Sequence, residues 1–236
     1  QAAYAQGERL ARELIDAYGK TPERLRDLSV SQDRLGDVKR ERVQSYEDLA
    51  EPKWKGRLCL RTSKKVYNQS LVATMIAAHG EKKTEQVVRG WVANLATSPF
   101  PDDTKAMEAV AAGQCDVTLV NTYYFGRLMK EKPALPLAIF WPNQGKGGVH
   151  MNVSGAGITA HADNREGALR LLEWLAGTEA QGQFAALNME YPANPSIAPD
   201  STVAAWGTFK GSPLNVATYG QLQVEAVKLM DKAGYK

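Results

Sequence analysis

The sequence predicts an α/β protein built on a largely parallel sheet. Short apolar, strand-like runs alternate with amphipathic helical stretches of about ten to twelve residues, the pattern of βαβ units. Glycine or proline punctuates the ends of these segments, as at Gly80, Gly113 and Pro52. The chain has 236 residues, of which 44% are hydrophobic, enough to bury a core without relying on metal or disulfide staples.

Residues 1–44 differ in texture from the rest. Leu10, Leu14, Ala17 and Tyr18 recur at spacings of three and four, so Glu8–Tyr18 reads as an amphipathic helix closed by Gly19. Thr21-Pro22 looks like an N-cap followed by proline at the first helical position, which opens a second short helix. Leu28–Gln32 is the only strand-like run in this segment.

From Ser45 onward the alternation begins. Ser45-Tyr46-Glu47-Asp48 resembles a capping box and starts a short helix that ends before Pro52. Lys55-Gly56 turns into a strand over Arg57–Thr62. Helices follow over Asn68–His79 and Thr84–Leu95, then the proline-rich turn Ser98–Pro101. Thr104–Ala112 is a helix, Asp116–Val120 a buried strand, Asn121–Lys130 a helix and Leu137–Trp141 a strand. Asn143–Gly148 is a glycine-rich loop that does not open a helix, so it reads as a connector rather than a phosphate cradle. Val149–Thr159 is strand-like but interrupted by Gly155 and Gly157. Asn164–Leu175 is strongly amphipathic, with Ala168, Leu171, Leu172 and Leu175 on one face. Glu179–Leu187 and Gln221–Lys232 complete the helices, separated by a Pro/Asn loop over Tyr191–Ser201.

Charge and composition exclude several classes. The 29 basic and 26 acidic side chains are spread along the chain, and phosphate binding needs clustered Lys and Arg, so nucleic acid is not the expected partner. No apolar run approaches the ~20 residues of a membrane helix. The start Gln1-Ala2-Ala3 is compatible with a mature terminus left after cleavage of a leader. The two cysteines, Cys59 and Cys115, fit no zinc spacing, and each lies in a strand-like run. Two readings stay open: a pair of buried free thiols, or one disulfide between neighbouring strands in an oxidising compartment.

The sequence contains no G-x-S-x-G, H-E-x-x-H, Walker or strand-linked G-x-G-x-x-G motif, and no nucleophile–base pair is in view, so no enzymatic activity is expected. His79, His150 and His161 are isolated and read as structural or surface residues. The tyrosines carry more chemistry. Tyr123 and Tyr124 follow a buried strand at the start of a helix, where α/β sheets bind their ligands. Tyr67 holds the matching place after the strand Arg57–Thr62. If those strands are neighbours, all three phenols face one crevice. Phenolate oxygen is a hard donor suited to a hard trivalent cation. Ser63, nearby backbone N–H groups and Arg61 would supply an anion site beside them.

These residues resemble a known family. Tyr46–Leu49, Pro52–Arg61, Tyr67–Ser70, Ala109–Arg127, Phe140–Gly155 and Met189–Pro195 are similar to the ferric-iron-binding periplasmic proteins of bacterial ABC importers, and Trp206–Lys210 continues the likeness. The resemblance runs from about residue 45 to the C-terminus. It implies a two-lobed fold of the type II periplasmic-binding-protein kind, hinged to close on Fe(III), and delivery of that ion to an inner-membrane ABC permease. It implies that Tyr123 and Tyr124 ligate iron, that Tyr67 is the third tyrosine of one subgroup, and that Ser63 and Asn121 lie at a synergistic anion, carbonate or phosphate-like.

Members of that family open with a strand–helix–strand run, and residues 1–44 do not show it. The organisation expected is therefore an atypical segment 1–44, an intact lobe 45–148, and a hinge return with the remainder of a reduced lobe over 149–236. An apolar edge left uncovered on the reduced lobe would favour a homodimer. Two rival functions fit the same fold: a binding protein for another small anion or a polyamine, and a remnant with no tight ligand.

Overall fold

In the computed structural model, residues 43–236 are described. The expected helices Glu8–Tyr18 and Thr21 onward, and the strand Leu28–Gln32, lie outside the described residues.

The described chain opens on two 3-10 turns, Glu47–Ala50 and Pro52–Trp54. The capping residues act reciprocally: Ser45 N donates to Asp48 Oδ2 at 3.1 Å and Asp48 N donates to Ser45 Oγ at 3.3 Å. Glu51, extended ahead of Pro52, ends the first element after a single turn. Then come β1 (Leu58–Cys59), α1 (Val66–His79), α2 (Glu81–Ala93), α3 (Asp103–Ala111), β2 (Val117–Thr118) and α4 (Thr122–Glu131). The remainder is helical: α5 (Arg165–Ala176), α6 (Thr178–Asn188), α7 (Ser201–Ala204), α8 (Val216–Gln221) and α9 (Gln223–Lys232).

β1 and β2 pair in parallel, Leu58 with Val117 and Cys59 with Thr118. On the other side of β1, parallel bridges join Leu58 to Leu95 and Arg61 to Phe100. The βαβ order expected from the sequence is present, but the strands are shorter than expected. Arg57–Thr62 contributes two ladder residues and two bridges, and Asp116–Val120 contributes two ladder residues. Leu137–Trp141 is extended without being a strand, and of Val149–Thr159 only Val149 bridges, to Gly211. A strand exists only where a second backbone pairs with it, and among the described residues no segment forms a ladder with Leu137–Trp141 or with the stretch that follows Val149. Two short helices, α7 and α8, lie between the Pro/Asn loop and the terminal helix, where the sequence reading assigned no element. Their N-caps explain them: Asp200 accepts from Thr202 N and Asn215 accepts from Ala217 N, both at 2.8 Å.

The main core is built from Leu49, Trp54, Leu58, Leu60, Val72, Val88 and Trp91, all buried. Trp91 Nε1 donates to Tyr46 O at 2.9 Å, which satisfies the indole inside apolar surroundings. Tyr219, Ala226, Leu229, Met230 and Tyr235 belong to the same core. Helices α8 and α9 thus pack directly on α1, although the sequence groups their residues with the remainder of the reduced lobe. α2 crosses the first 3-10 turn so closely that a Cβ on Gly90 would lie 2.4 Å from the Ala50 Cβ.

The two cysteines are joined: Cys59 and Cys115 form a disulfide with Cα atoms 5.9 Å apart, buried beside Ala109. It ties β1 to the chain entering β2. A third cluster, Met107, Phe125 and Leu128, seats α4 against α3. By contrast α5 has no buried residue. Leu171 and Trp174 on α5, and Phe184 and Leu187 on α6, are exposed, so the apolar face expected over Asn164–Leu175 is covered only in part, with Ala168, Leu172 and Leu175 half-buried.

Candidate metal centre

The register of β1 and β2 decides where the tyrosines go. Both strands run in the same direction and end side by side, so the turns that follow them emerge at one edge. After β1 the chain turns through Thr62–Lys65 into α1. That helix begins two residues before Asn68, so Tyr67 stands inside its first turn rather than ahead of it. After β2 the chain reaches Asn121, the N-cap position of α4, and Tyr123 and Tyr124 occupy that first turn.

The three rings meet there. Tyr67 lies edge-on to both partners, with ring centroids 6.4 Å from Tyr123 and 6.4 Å from Tyr124. Tyr123 and Tyr124 are 4.5 Å apart. All three are partly exposed, so the cluster opens to solvent rather than being sealed in hydrocarbon. Hydrogen bonding from the Tyr123 and Tyr124 hydroxyls favours the ionised form of Tyr67 and lowers its pKa. Burial, followed by the hydrogen bond to Tyr67, raises Tyr123 and Tyr124. One phenol of the trio is thus poised to lose its proton ahead of the other two.

The residues expected at an anion site are divided in their roles. Asn121 is at the centre: its side-chain Nδ2 donates to the Tyr123 hydroxyl at 3.1 Å and its backbone N donates to Asp103 Oδ1 at 3.0 Å. Arg61 is buried, 4% exposed, and its guanidinium is committed. Nε donates to Asn68 Oδ1 at 2.7 Å and Nη1 pairs with Asp103, itself 2% exposed. The same guanidinium lies 4.9 Å from the Tyr67 ring centroid. Burial is the largest influence on Asp103 and pushes its carboxyl up, while Arg61 and the Asn121 N–H pull against it. Ser63 sits in the turn between β1 and α1, but the backbone N–H groups there are already bonded. Ser63 N donates to Lys236 O, Lys64 N to Thr62 Oγ1 and Lys65 N to Thr62 O. Those N–H groups form no ready cradle, which leaves side chains to meet an anion.

Sequence reasoning missed three contributors. Asp103, at the start of α3, is brought under the site by the sheet and carried no local signal. Asn68 falls in the Tyr67–Ser70 segment and at a helix start, but nothing local assigns its side chain a role. Arg127 follows Tyr123 by four residues and Tyr124 by three, the spacing of helical neighbours, so its position was legible. Its guanidinium lies 5.3 and 5.8 Å from their ring centroids and donates to Asn188 Oδ1 at 3.3 Å. Among the described residues no group of three or more His, Cys, Asp or Glu could hold a metal. Any ion at this place would be met by hydroxyl oxygen first.

Comparison with known proteins bears on the same region. The family of bacterial extracellular solute-binding proteins matches residues 28–209. Iron uptake protein A1 of Synechocystis sp. is 43% identical over 207 residues, 85% of this chain and 58% of that protein. Iron uptake protein A2 of the same organism is 41% identical over 227 residues, 93% of this chain and 64% of the relative. The chain therefore spans about three-fifths of the length of these relatives. The Trichodesmium protein IdiA (FutA), solved with iron and citrate ligands, superposes with a TM-score of 0.79 at 42% identity, covering 82% of this chain and 63% of that one. Mannheimia haemolytica ferric iron-binding protein A in an open conformation gives 0.78 at 37% identity, covering 82% and 62%. These neighbours have the type II periplasmic-binding-protein fold, of which this helix-rich α/β chain carries a part. With a matched region covering well over half of its length, the chain belongs to the bacterial extracellular solute-binding protein family.

Proposed function

We propose that this chain carries the ferric-ion site of an extracytoplasmic binding protein. Tyr67, Tyr123 and Tyr124 ligate Fe(III), and a synergistic anion completes the coordination. The observation that carries this reading is the meeting of three mutually hydrogen-bonded phenols at the common end of two paired strands. Three phenolates offer a hard, anionic oxygen set, which favours Fe(III) over softer or less charged ions. The names of the Synechocystis relatives and the iron and citrate of the Trichodesmium neighbour point the same way.

The residues divide the work as follows. Tyr67, with its lowered pKa, is the first to ionise as the cation arrives, and the charge of the ion then deprotonates Tyr123 and Tyr124. Asn121 holds the Tyr123 hydroxyl in place. Arg61 supplies charge beneath the site, held there through Nε and Nη1 by Asn68 and Asp103. Ser63 presents its side chain toward the anion. Closure around the ion is a ligand-biased shift of a hinge equilibrium, and no covalent bond is made or broken.

The Cys59–Cys115 disulfide fits an oxidising compartment such as the periplasm. There the loaded protein hands its ion to an inner-membrane ABC permease. The test is a visible absorption spectrum before and after addition of ferric citrate. A phenolate-to-iron charge-transfer band is expected in the native protein and is reduced in Tyr123→Phe and in Tyr124→Phe. An unchanged spectrum in both variants overturns the assignment.

A further inference from the structure

We infer that Tyr235, in the segment following α9, is a positioning residue for Tyr67, acting through Asn68 and Arg61; the inference rests on reading Tyr67 as a ferric ligand.

Tyr235 is 167 residues from Asn68 in sequence, yet the two side chains touch. The Tyr235 hydroxyl donates to Arg61 O at 2.7 Å and accepts from Asn68 Nδ2 at 2.6 Å. Asn68 Nδ2 also reaches Arg61 O at 3.1 Å and Thr62 O at 3.2 Å. Asn68 Oδ1 in turn accepts from Arg61 Nε, and the Arg61 guanidinium faces the Tyr67 ring. One hydroxyl therefore fixes both the backbone at the end of β1 and the side chain adjacent to Tyr67. Its ring is buried in the main core, so the hydroxyl has little freedom to move.

Two further bonds tie the same regions together. Ser63 N donates to Lys236 O at 3.0 Å. Gln223, the first residue of α9, donates to Gln69 Oε1 at 3.0 Å, and Gln69 Nε2 donates to Ser63 O at 3.2 Å. The turn between β1 and α1 is thus held from below at three places by α9 and the residues after it. A first turn that presents a ligand has few internal hydrogen bonds of its own, so its orientation must come from such outside contacts. Tyr67 is the phenol nearest this strut, because its chain neighbour Asn68 bonds the Tyr235 hydroxyl and the Arg61 guanidinium faces its ring.

The experiment uses Tyr235→Phe, which keeps the buried ring and removes only the hydroxyl. In the iron-free protein, the tyrosine ring carbon–proton NMR resonances of Tyr67 are identified as those missing from Tyr67→Phe. They are expected to shift in Tyr235→Phe as the ring moves relative to Arg61, Tyr123 and Tyr124. With ferric citrate added, the charge-transfer band should change toward that of Tyr67→Phe, and ferric affinity should fall about tenfold. In a Tyr67→Phe background, Tyr235→Phe should have no further effect on the band. A purely structural role would give the same loss with or without Tyr67, and that result overturns the inference. So does a Tyr67 resonance and a band that both stay unchanged. If the native protein shows no ferric band, the ferric reading fails, and the Tyr67 resonances alone decide positioning. Should Tyr235→Phe not fold, Gln223→Ala, at an exposed contact, is expected to shift the same resonances in a smaller degree, and no shift overturns the strut.

Discussion

Arg61 and Asp103, from two different elements, form a buried ion pair directly beneath the tyrosine cluster. Each partner is also tied to a tyrosine: Arg61 through its stack on Tyr67, Asp103 through the backbone of Asn121, whose side chain holds Tyr123. The pair therefore couples the end of β1 to the start of α4. Removing one partner leaves an unpaired buried charge.

Arg61→Met or Asp103→Leu alone should lower unfolding free energy by about 3–5 kcal/mol in urea titrations. The double variant should recover most of that loss, because it buries no charge. A double variant as unstable as the singles would show that the pair is not where the cost arises.

Asn121→Ala removes the donor that holds the Tyr123 hydroxyl. Ferric affinity is expected to fall by roughly tenfold, the usual range for a residue that orients a ligand without binding the metal. Competition with a coloured chelator measures it, and unaltered affinity would mean that Tyr123 keeps its orientation without Asn121.

The disulfide closes a loop of chain between positions separated by 56 residues. Its reduction should cost on the order of 4 kcal/mol through the larger freedom of the unfolded chain. Urea unfolding with and without reductant tests this. Equal midpoints would mean that the bond adds no stability.

His150 should make folding sensitive to acid. Burial, followed by the charge of Arg61, lowers its pKa from 6.5 to about 4. Its ring is satisfied in the neutral form. Thr74 Oγ1 donates to Ser70 O, so Nδ1 donates to Thr74 and Nε2 accepts from Ser70 Oγ. The unfolded chain binds the proton first as pH falls. The stability associated with neutral His150 is thus intact above pH 6.5 and is lost as pH falls through about 4. The loss is on the order of 3 kcal/mol. His150→Gln should flatten that part of the stability profile, and an equally steep profile in the variant would assign the effect elsewhere.

Gly90→Ala places a methyl group into the Ala50 backbone and side chain. Overpacking of this kind should cost about 1–3 kcal/mol. Thermal unfolding checks it, and a neutral result would show that the first 3-10 turn can move away from α2 at little cost.

Much of the fold is legible in the chain. The long helices of the described region are legible as helical stretches in the sequence, and two of them, α3 and α5, also carry side-chain N-caps, Asp102 and Asn164. The placement of Tyr67, Tyr123 and Tyr124 after two strand-like runs is equally local information. The strands themselves are not. Leu137–Trp141 has strand composition, but pairing depends on a neighbour, and composition cannot supply one.

The sequence by itself determined the βαβ alternation, the existence of the long helices and the set of phenols, because these depend on residues within a few positions of one another. Tertiary structure alone decided three things. It aligned β1 with β2 so that the phenols meet, and it joined Cys59 to Cys115. It also brought Asp103 and Tyr235 beneath the site from 42 and 174 residues beyond Arg61. Such contacts are fixed by the packing of whole elements around a shared core, and no local pattern encodes which distant side chain will fill the space beneath a turn.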